Sequence, residues 1–219
     1  MENSGYQVIV HKGPVLEKEK FIVFEGIDGS GKGTQIFKAA EYLFNHNKLI
    51  DCIVTREPWN SNEAKKIREI LKNENDPNSN SEQLLNLYVK DRDKHEDFIL
   101  ESIYNNKIVL SDRYYYSSMA YQLGQGADLT KIIEKNKRFT KPDITFIIDV
   151  PAKVAMDRIK KNRNKLDKFE EEKFLNEVRN NYLNIPNYLK KDNIKIINGN
   201  QPIDEVFYDI KIKLEEILW

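Results

Sequence analysis

From Phe21 onward the chain alternates short β-branched apolar runs with longer stretches in which apolar residues recur every three or four positions. The short runs predict strands near residues 21–25, 49–55, 107–112, 144–149 and 194–197, and the longer stretches predict helices between them. Such alternation calls for a parallel sheet, because consecutive parallel strands need a long crossover and a helix supplies it. Between Ser81 and Ile103 the apolar positions Leu84, Leu85, Tyr88, Phe98, Ile99 and Ile103 fall mostly at helical spacings, which predicts one long helix with Ser81 near its N-cap. Asn73 to Asn80, with Pro77 inside, reads as the loop before it. From Ile203 to Leu218 the residues Val206, Ile210, Leu214 and Ile217 step by three or four, predicting a closing amphipathic helix. Residues 1–20 offer only Val8 to Val10 as an apolar piece and end in the charged run Glu17 to Lys20, so they read as an amino-terminal extension to one domain over 21–219.

A chain of 219 residues suits a single domain, which at this size buries about 70 to 75 per cent of the surface its unfolded form exposes. Lysine plus arginine and aspartate plus glutamate both total 35. No overall field then draws the protein to nucleic acid or to a membrane, and any anion site must arise from local clustering. The single cysteine, Cys52, sits in an apolar stretch and reads as core, not as a nucleophile. No segment approaches the roughly 18 apolar residues of a membrane span, and the first twenty residues lack the apolar centre of a signal peptide. The expectation is a cytoplasmic protein without nucleic-acid or membrane partners.

Candidate chemistry begins where the first strand ends. Gly26, Ile27, Asp28, Gly29, Ser30, Gly31 and Lys32 satisfy G-x-x-x-x-G-K, the cradle in which glycines turn successive N–H groups toward one anion and a lysine adds a point charge beside a helix N-terminus. The expected ligand is a nucleoside triphosphate. Gly33 stands where a hydroxyl residue usually follows, and the hydroxyl arrives one position late as Thr34, which leaves the usual Mg²⁺ ligand open. A chance glycine turn with a solvated lysine is the alternative, and the flanking strand and helix argue against it.

In a parallel α/β sheet the carboxyl ends of the strands gather the functional loops. The second strand ends in Thr55-Arg56-Glu57-Pro58, the third in Ser111-Asp112-Arg113-Tyr114 and the fourth in Asp149-Val150-Pro151. Asp112 has the placement of a metal-orienting carboxylate, acting directly or through water, or else it pairs with Arg113. Arg56 and Arg113 offer planar forks suited to a second phosphate, unless Glu57 and Asp112 hold them in structural salt bridges.

The set Phe24 to Gln35, Thr55 to Pro58, Asp91-Arg92 with His95, Asp112 to Tyr114, Ser118 to Gln122, Lys141 to Asp143 and Asp149 to Pro151 resembles the thymidylate kinases, in order, over roughly residues 20–218. The resemblance implies a P-loop NTPase fold of class α/β, a five-stranded parallel sheet flanked by helices with a short lid. It also implies transfer of the γ-phosphate of Mg-ATP to dTMP, giving dTDP, in a protein that pairs as a homodimer. The Gly-Lys-Gly-Thr ending is similar to other nucleoside monophosphate kinases, which accommodates Gly33. On this basis Gly26 to Thr34 bind ATP, and Asp28 contacts the sugar 3′-hydroxyl and, with Asp112 and Thr34, the metal. Tyr88 stacks on the base where relatives often carry phenylalanine, and Arg92 one turn later reaches the base carbonyl or the phosphate. Arg56 and Arg113 hold the acceptor phosphate, Ser118 and Gln122 lie near the base, and Tyr121 closes off the 2′ position. Ordinary aromatic packing is the plain alternative for Tyr88 and Tyr121. The basic segment near residues 157–168 takes the place of the lid, with Arg163 and Arg158 as catalytic candidates and Lys161 behind them. They compensate for Gly29, where one branch of the family carries an arginine. Trp59 follows Arg-Glu-Pro where relatives have small residues, and it either packs over the second helix or narrows the acceptor site. His11, His46 and His95 show neither triad nor metal-ligand spacing and receive no catalytic role. A kinase for another monophosphate or for a nucleoside, and a nucleotide-binding regulatory module, are the competing readings.

Overall fold

The computed structural model describes residues 19–48, 50–162 and 168–219. Five strands form one sheet: β1 (Phe21–Glu25), β2 (Cys52–Arg56), β3 (Ile108–Asp112), β4 (Ile144–Asp149) and β5 (Ile194–Asn198). They lie in the order β2-β3-β1-β4-β5, and every neighbouring pair is parallel. The helices among the described residues are α1 (Lys32–His46), α2 (Asn62–Asn73), α3 (Ser81–Tyr104), α4 (Tyr115–Gly124), α5 (Leu129–Asn136), α6 (Ala152–Asn162), α7 (Glu172–Tyr188) and α8 (Ile203–Leu218). The α/β architecture with five parallel strands expected from the pattern is the one observed. None of these helices is long and apolar enough to cross a membrane.

Burial explains the strand order. The central strand β1 is apolar at four successive positions because both its faces are covered. Phe21 and Val23 enter one core, with Leu84, Ile99, Met119, Leu175 and Val178 of α3, α4 and α7, whereas Ile22 and Phe24 enter the other, with Ile36, Leu43, Ile210 and Leu214 of α1 and α8. The strand's period of two thus assigns alternate residues to two layers. The edge strands β2 and β5 are less covered, in keeping with their mixed composition.

One boundary differs from expectation, and local contacts define two others. The second strand begins at Cys52 and not near 49, because the Ile50 N–H turns back to the Asn47 carbonyl at 3.0 Å to close the turn after α1. Asn80 caps α3, and Ser81 is already helical: Asn80 takes φ 60°, which asparagine tolerates, and its carbonyl accepts the Leu84 N–H at 2.8 Å. The expected lid near 157–168 is helical through Asn162, while Arg163 and the four residues after it lie outside the described residues. Just beyond, the Lys168 N–H bonds the Leu71 carbonyl at 3.1 Å, docking this stretch on α2.

At the carboxyl ends of the strands, β1 turns into α1 through Gly26, Gly29 and Gly31, whose φ values are 140°, 76° and 95°. The loop is packed against the backbone of α6: a Cβ on Gly29 would stand 2.4 Å from the Ala155 carbonyl oxygen. Arg158 of α6 donates from Nη1 to the carbonyls of Gly29 at 3.3 Å and Ser30 at 3.2 Å. Because the peptide is planar, that turns the Gly31 N–H the other way. Gly33, in the first turn of α1, faces open space. We therefore expect Gly33→Ala to hold or raise the melting temperature, the helix gaining up to about 1 kcal/mol. Gly29→Ala should lower it clearly, since the left-handed φ and the backbone clash act together; thermal melts of the two variants check the contrast.

Candidate active site

Where β1, β2 and β3 end, a cleft of about 350 Å³ opens, and Asp28, Arg56, Tyr88, Arg92, Arg113, Ser118, Tyr121 and Gln122 all line it. These are the eight side chains expected on the acceptor side, drawn from two strand ends, the glycine-rich loop, α3 and α4. Glu57, Pro58, Leu71, Ser117, Phe169 and Glu170 complete the wall, the last two from the stretch just before α7.

Arg113 sits at φ 75°, a left-handed conformation rare for a residue with a Cβ and costing of order 1–3 kcal/mol. Two bonds fix it there: its N–H donates to the Phe24 carbonyl at 2.9 Å, and its carbonyl accepts from the Ser111 hydroxyl at 2.7 Å. Its guanidinium bridges Asp28, with Nη2 to Oδ1 at 2.8 Å, and the hydroxyl of Tyr121 at 3.2 Å, over whose ring it lies. Burial by itself would lift the Asp28 pKa, but the charges of Arg113 and Lys32 and the bonds from Arg113 and Tyr121 outweigh it, holding the carboxyl well below the usual carboxylate range. Lys32 is buried with Nζ 3.7 Å from Asp28 and 3.4 Å from the Ile27 carbonyl. Burial and then the charge of Arg113 depress its pKa, against the pull of Asp28, Asp112 and Glu25.

Arg92 behaves differently. It is wholly buried and doubly bonded to Glu57, with Nε to Oε2 at 2.9 Å and Nη2 to Oε2 at 2.6 Å, while Nη1 donates to Asn136 at 2.5 Å and Nη2 also to Ser118 at 3.3 Å. His95 is buried with Nδ1 3.2 Å from Glu57 and Nε2 2.8 Å from the Thr55 hydroxyl. Trp59 stacks on His95 and Phe98 of α3 and does not line the cleft. Of the two expectations for it, narrowing of the site is not what the structure has, and its packing partner is α3, not α2. The cause is Asp91 of α3, which accepts the Trp59 N–H at 2.7 Å and the Ser61 hydroxyl at 2.5 Å. Arg56 is exposed at the cleft edge with no ion-pair partner among the described residues.

A second cleft, about 290 Å³, flanks the other side of the glycine-rich loop and is lined by Ser30, Gly31, Thr34, Gln35, Arg158 and Gly199, among others. Arg158 also donates to the Gly199 carbonyl at 3.2 Å. Asp112, at the end of β3, keeps a buried Oδ1 without a hydrogen-bond partner among the described residues. Those residues contain no group of three or more His, Cys, Asp or Glu that would hold a metal unaided. Asp149 belongs elsewhere: Arg179 of α7 grips both its oxygens, at 2.6 and 2.9 Å.

Sequence reasoning passed over Glu25, Ser117 and Tyr182, which contact one another beside Arg113, and over Phe169 and Glu170. Glu25 had a signal, a lone acid closing an apolar strand. Tyr182 had none, since an aromatic at helical spacing usually packs. Phe169 stacks with Phe174 and touches Tyr121.

Neighbours on β2 and its exit separate structural from exposed charge. Glu57→Ala strands a buried guanidinium and should cost about 3–5 kcal/mol, whereas Arg56→Ala should stay within about 0.5 kcal/mol; urea unfolding of both variants measures the difference. The lowered Asp28 pKa also carries a pH signature. Its ionised form stabilises the fold above the ordinary aspartate pKa of about 4, and that contribution is lost as pH falls through the lower folded value. The melting-temperature gap between wild type and Asp28→Asn should be widest near neutrality and shrink progressively below about pH 4.

Comparison with known proteins identifies the family. The family profile described as Thymidylate kinase matches residues 24–210. A thymidylate kinase of Thermosipho africanus is 40% identical over 204 residues, covering 90% of this chain and 98% of its own. One of Carboxydothermus hydrogenoformans is 38% identical over 203 residues, covering 90% and 97%. A probable thymidylate kinase of Thermococcus kodakarensis is 36% identical over 208 residues, covering 90% and 98%. With the profile spanning most of the chain and relatives matched nearly end to end, this protein belongs to the thymidylate kinase family.

Proposed function

We propose that this protein phosphorylates dTMP to dTDP with Mg-ATP as donor. The observation that carries the reading is the pair of clefts on either side of one phosphate loop, the first walled by arginines and the second by the loop's own start of α1. The acceptor is already a phosphate anion whose second pKa is about 6, so no side chain need take a proton from it at neutral pH. The protein's task is to align two anions that repel each other and to spread positive charge around them.

Loop amides and Lys32 would hold the donor phosphates, and Arg158 would keep the loop carbonyls turned away from them. Arg113 and Arg56 would take the acceptor phosphate. Most donors of Arg92 already end on Glu57, Asn136 and Ser118, so it adds less to acceptor binding than they do. Tyr88 would stack on the base, and Gln122, whose buried Oε1 has no partner among the described residues, suits a base N–H. Mg²⁺, carried in with the donor, supplies countercharge to the phosphates. The orphan oxygen of Asp112 fits such an ion, with Asp28 and Thr34 as further ligands. Arg163 joins this set on resemblance alone. A homodimer belongs to the same reading, supported by Leu100 and Tyr104 exposed on α3. So does a cytoplasmic location, where the Cys52 thiol, pushed up to about 12 by burial, would stay reduced and inert.

An ADP-release assay with dTMP, dUMP, dCMP, AMP and thymidine tests the proposal. dTMP should be preferred. dUMP should be poor but detectable, since one methyl group in an apolar pocket yields about 10- to 200-fold. ATP hydrolysis without transfer to any monophosphate would overturn the reading.

A further inference from the structure

Glu25 closes an otherwise apolar strand and is completely buried, yet it does not line the cleft. Its Oε1 accepts the backbone N–H groups of Tyr114 at 2.7 Å and Ser117 at 3.1 Å, where α4 begins. Its Oε2 accepts two hydroxyls, Ser117 at 2.6 Å and Tyr182 of α7 at 2.8 Å. Both hydroxyl oxygens in turn accept from Nη1 of Arg113, at 3.0 and 3.1 Å. A hydroxyl has one proton. The two hydroxyls also lie 2.9 Å apart, where either could donate to the other, but a carboxylate is the stronger acceptor; with both protons directed at it, the lone pairs of both oxygens face the guanidinium.

We infer that Glu25 and Tyr182 are positioning residues for acceptor binding: the Glu25 carboxylate sets the proton direction in two hydroxyls, which fix Nη1 of Arg113 from behind. That leaves Nη2, held here by Asp28 and Tyr121, and Nε, which has no hydrogen-bond partner among the described residues, as the donors an acceptor phosphate can take. The inference rests on the acceptor-side role of Arg113 proposed above. Its content is directional. A neutral group of the same size in place of the carboxylate would fill the space equally well and reverse the hydrogen bonds.

Glu25→Gln makes that change. Its amide nitrogen, set where Oε2 was, donates to both hydroxyls; one of them can pass its proton to the other, 2.9 Å away, but the second then aims its proton toward a guanidinium that can only donate. We expect the dTMP KM to rise about tenfold or more, as for loss of hydrogen bonds to a charged group, with the ATP KM unchanged. Tyr182→Phe keeps the ring and removes one acceptor, so it tests the same point if Glu25→Gln folds poorly, and it should raise the dTMP KM severalfold. Ser117→Ala should act likewise, and Ser117→Thr, which restores a hydroxyl, should recover wild-type values. Equal weakening of dTMP and ATP alongside a lower melting temperature, or no kinetic change in either Tyr182→Phe or a folded Glu25→Gln, overturns the clamp. Arg113→Ala separates the two levels. If it leaves the dTMP KM unchanged, the acceptor reading itself falls; if it raises that KM while Tyr182→Phe and Glu25→Gln do not, only the clamp falls.

Discussion

A guanidinium removed from water must set its charge against an anion and its protons against oxygen, and Arg92 and Arg113 meet this demand in opposite ways. Arg92 is fully balanced: Glu57 faces it with both oxygens, Asn136 and Ser118 take further protons, and the rings of Tyr114 and Phe139 each lie 5.5 Å from its carbon. Among the described residues Arg113 has a single direct carboxylate partner, Asp28, and that carboxylate also serves Lys32. Its other partners are the neutral hydroxyls of Ser117, Tyr121 and Tyr182. Two cations thus share the one carboxylate within direct reach of both, and Arg56 at the cleft edge has no ion-pair partner among the described residues. The first arrangement builds a wall, and the second keeps cationic donors that are not fully taken up where phosphates would meet.

The glycine-rich loop obeys a similar division. Its glycines are needed less for slack than for closeness, since the backbone of α6 approaches Gly29 too tightly for any side chain. That approach brings Arg158 within reach of the loop carbonyls. An arginine at position 29 could not be accommodated without moving α6. The need for glycine at position 29 and the seat of Arg158 on the loop are consequences of one packing choice.

Most of the fold was legible because each layer leaves a periodic trace. β1, β3 and β4 are apolar on both faces, and α8 shows its buried stripe at steps of three or four. The cleft was legible because parallel strands deliver their terminal residues to one side, which groups Arg56 and Arg113 on its wall and Asp112 beside them. What escaped were relations across elements. Nothing local tells that Glu57 is taken by Arg92 from thirty-five positions away, or that Asp149 is held by Arg179. Trp59 was ambiguous for the same reason, since its direction depends on Asp91, a residue of another helix. Periodicity reports which face is buried, not which partner is met there.

The same limit explains why α7 mattered more than its sequence implied. Tyr182 reaches the guanidinium of Arg113, Arg179 grips the end of β4, and Phe174 packs on Phe169 at the cleft wall. Two points along one helix are thereby tied to the site and a third to the end of the neighbouring strand. Close-packed interiors transmit displacement instead of absorbing it, so a shift of α7 would alter the Arg113 bonds, the Asp149 anchor and the cleft wall together. The stretch before α7 is itself pinned to α2 through the Lys168 N–H and the Leu71 carbonyl. The acceptor cleft is consequently enclosed by elements distant in sequence whose positions are mutually fixed, and its shape is a property of the whole helical layer, not of the loops that line it.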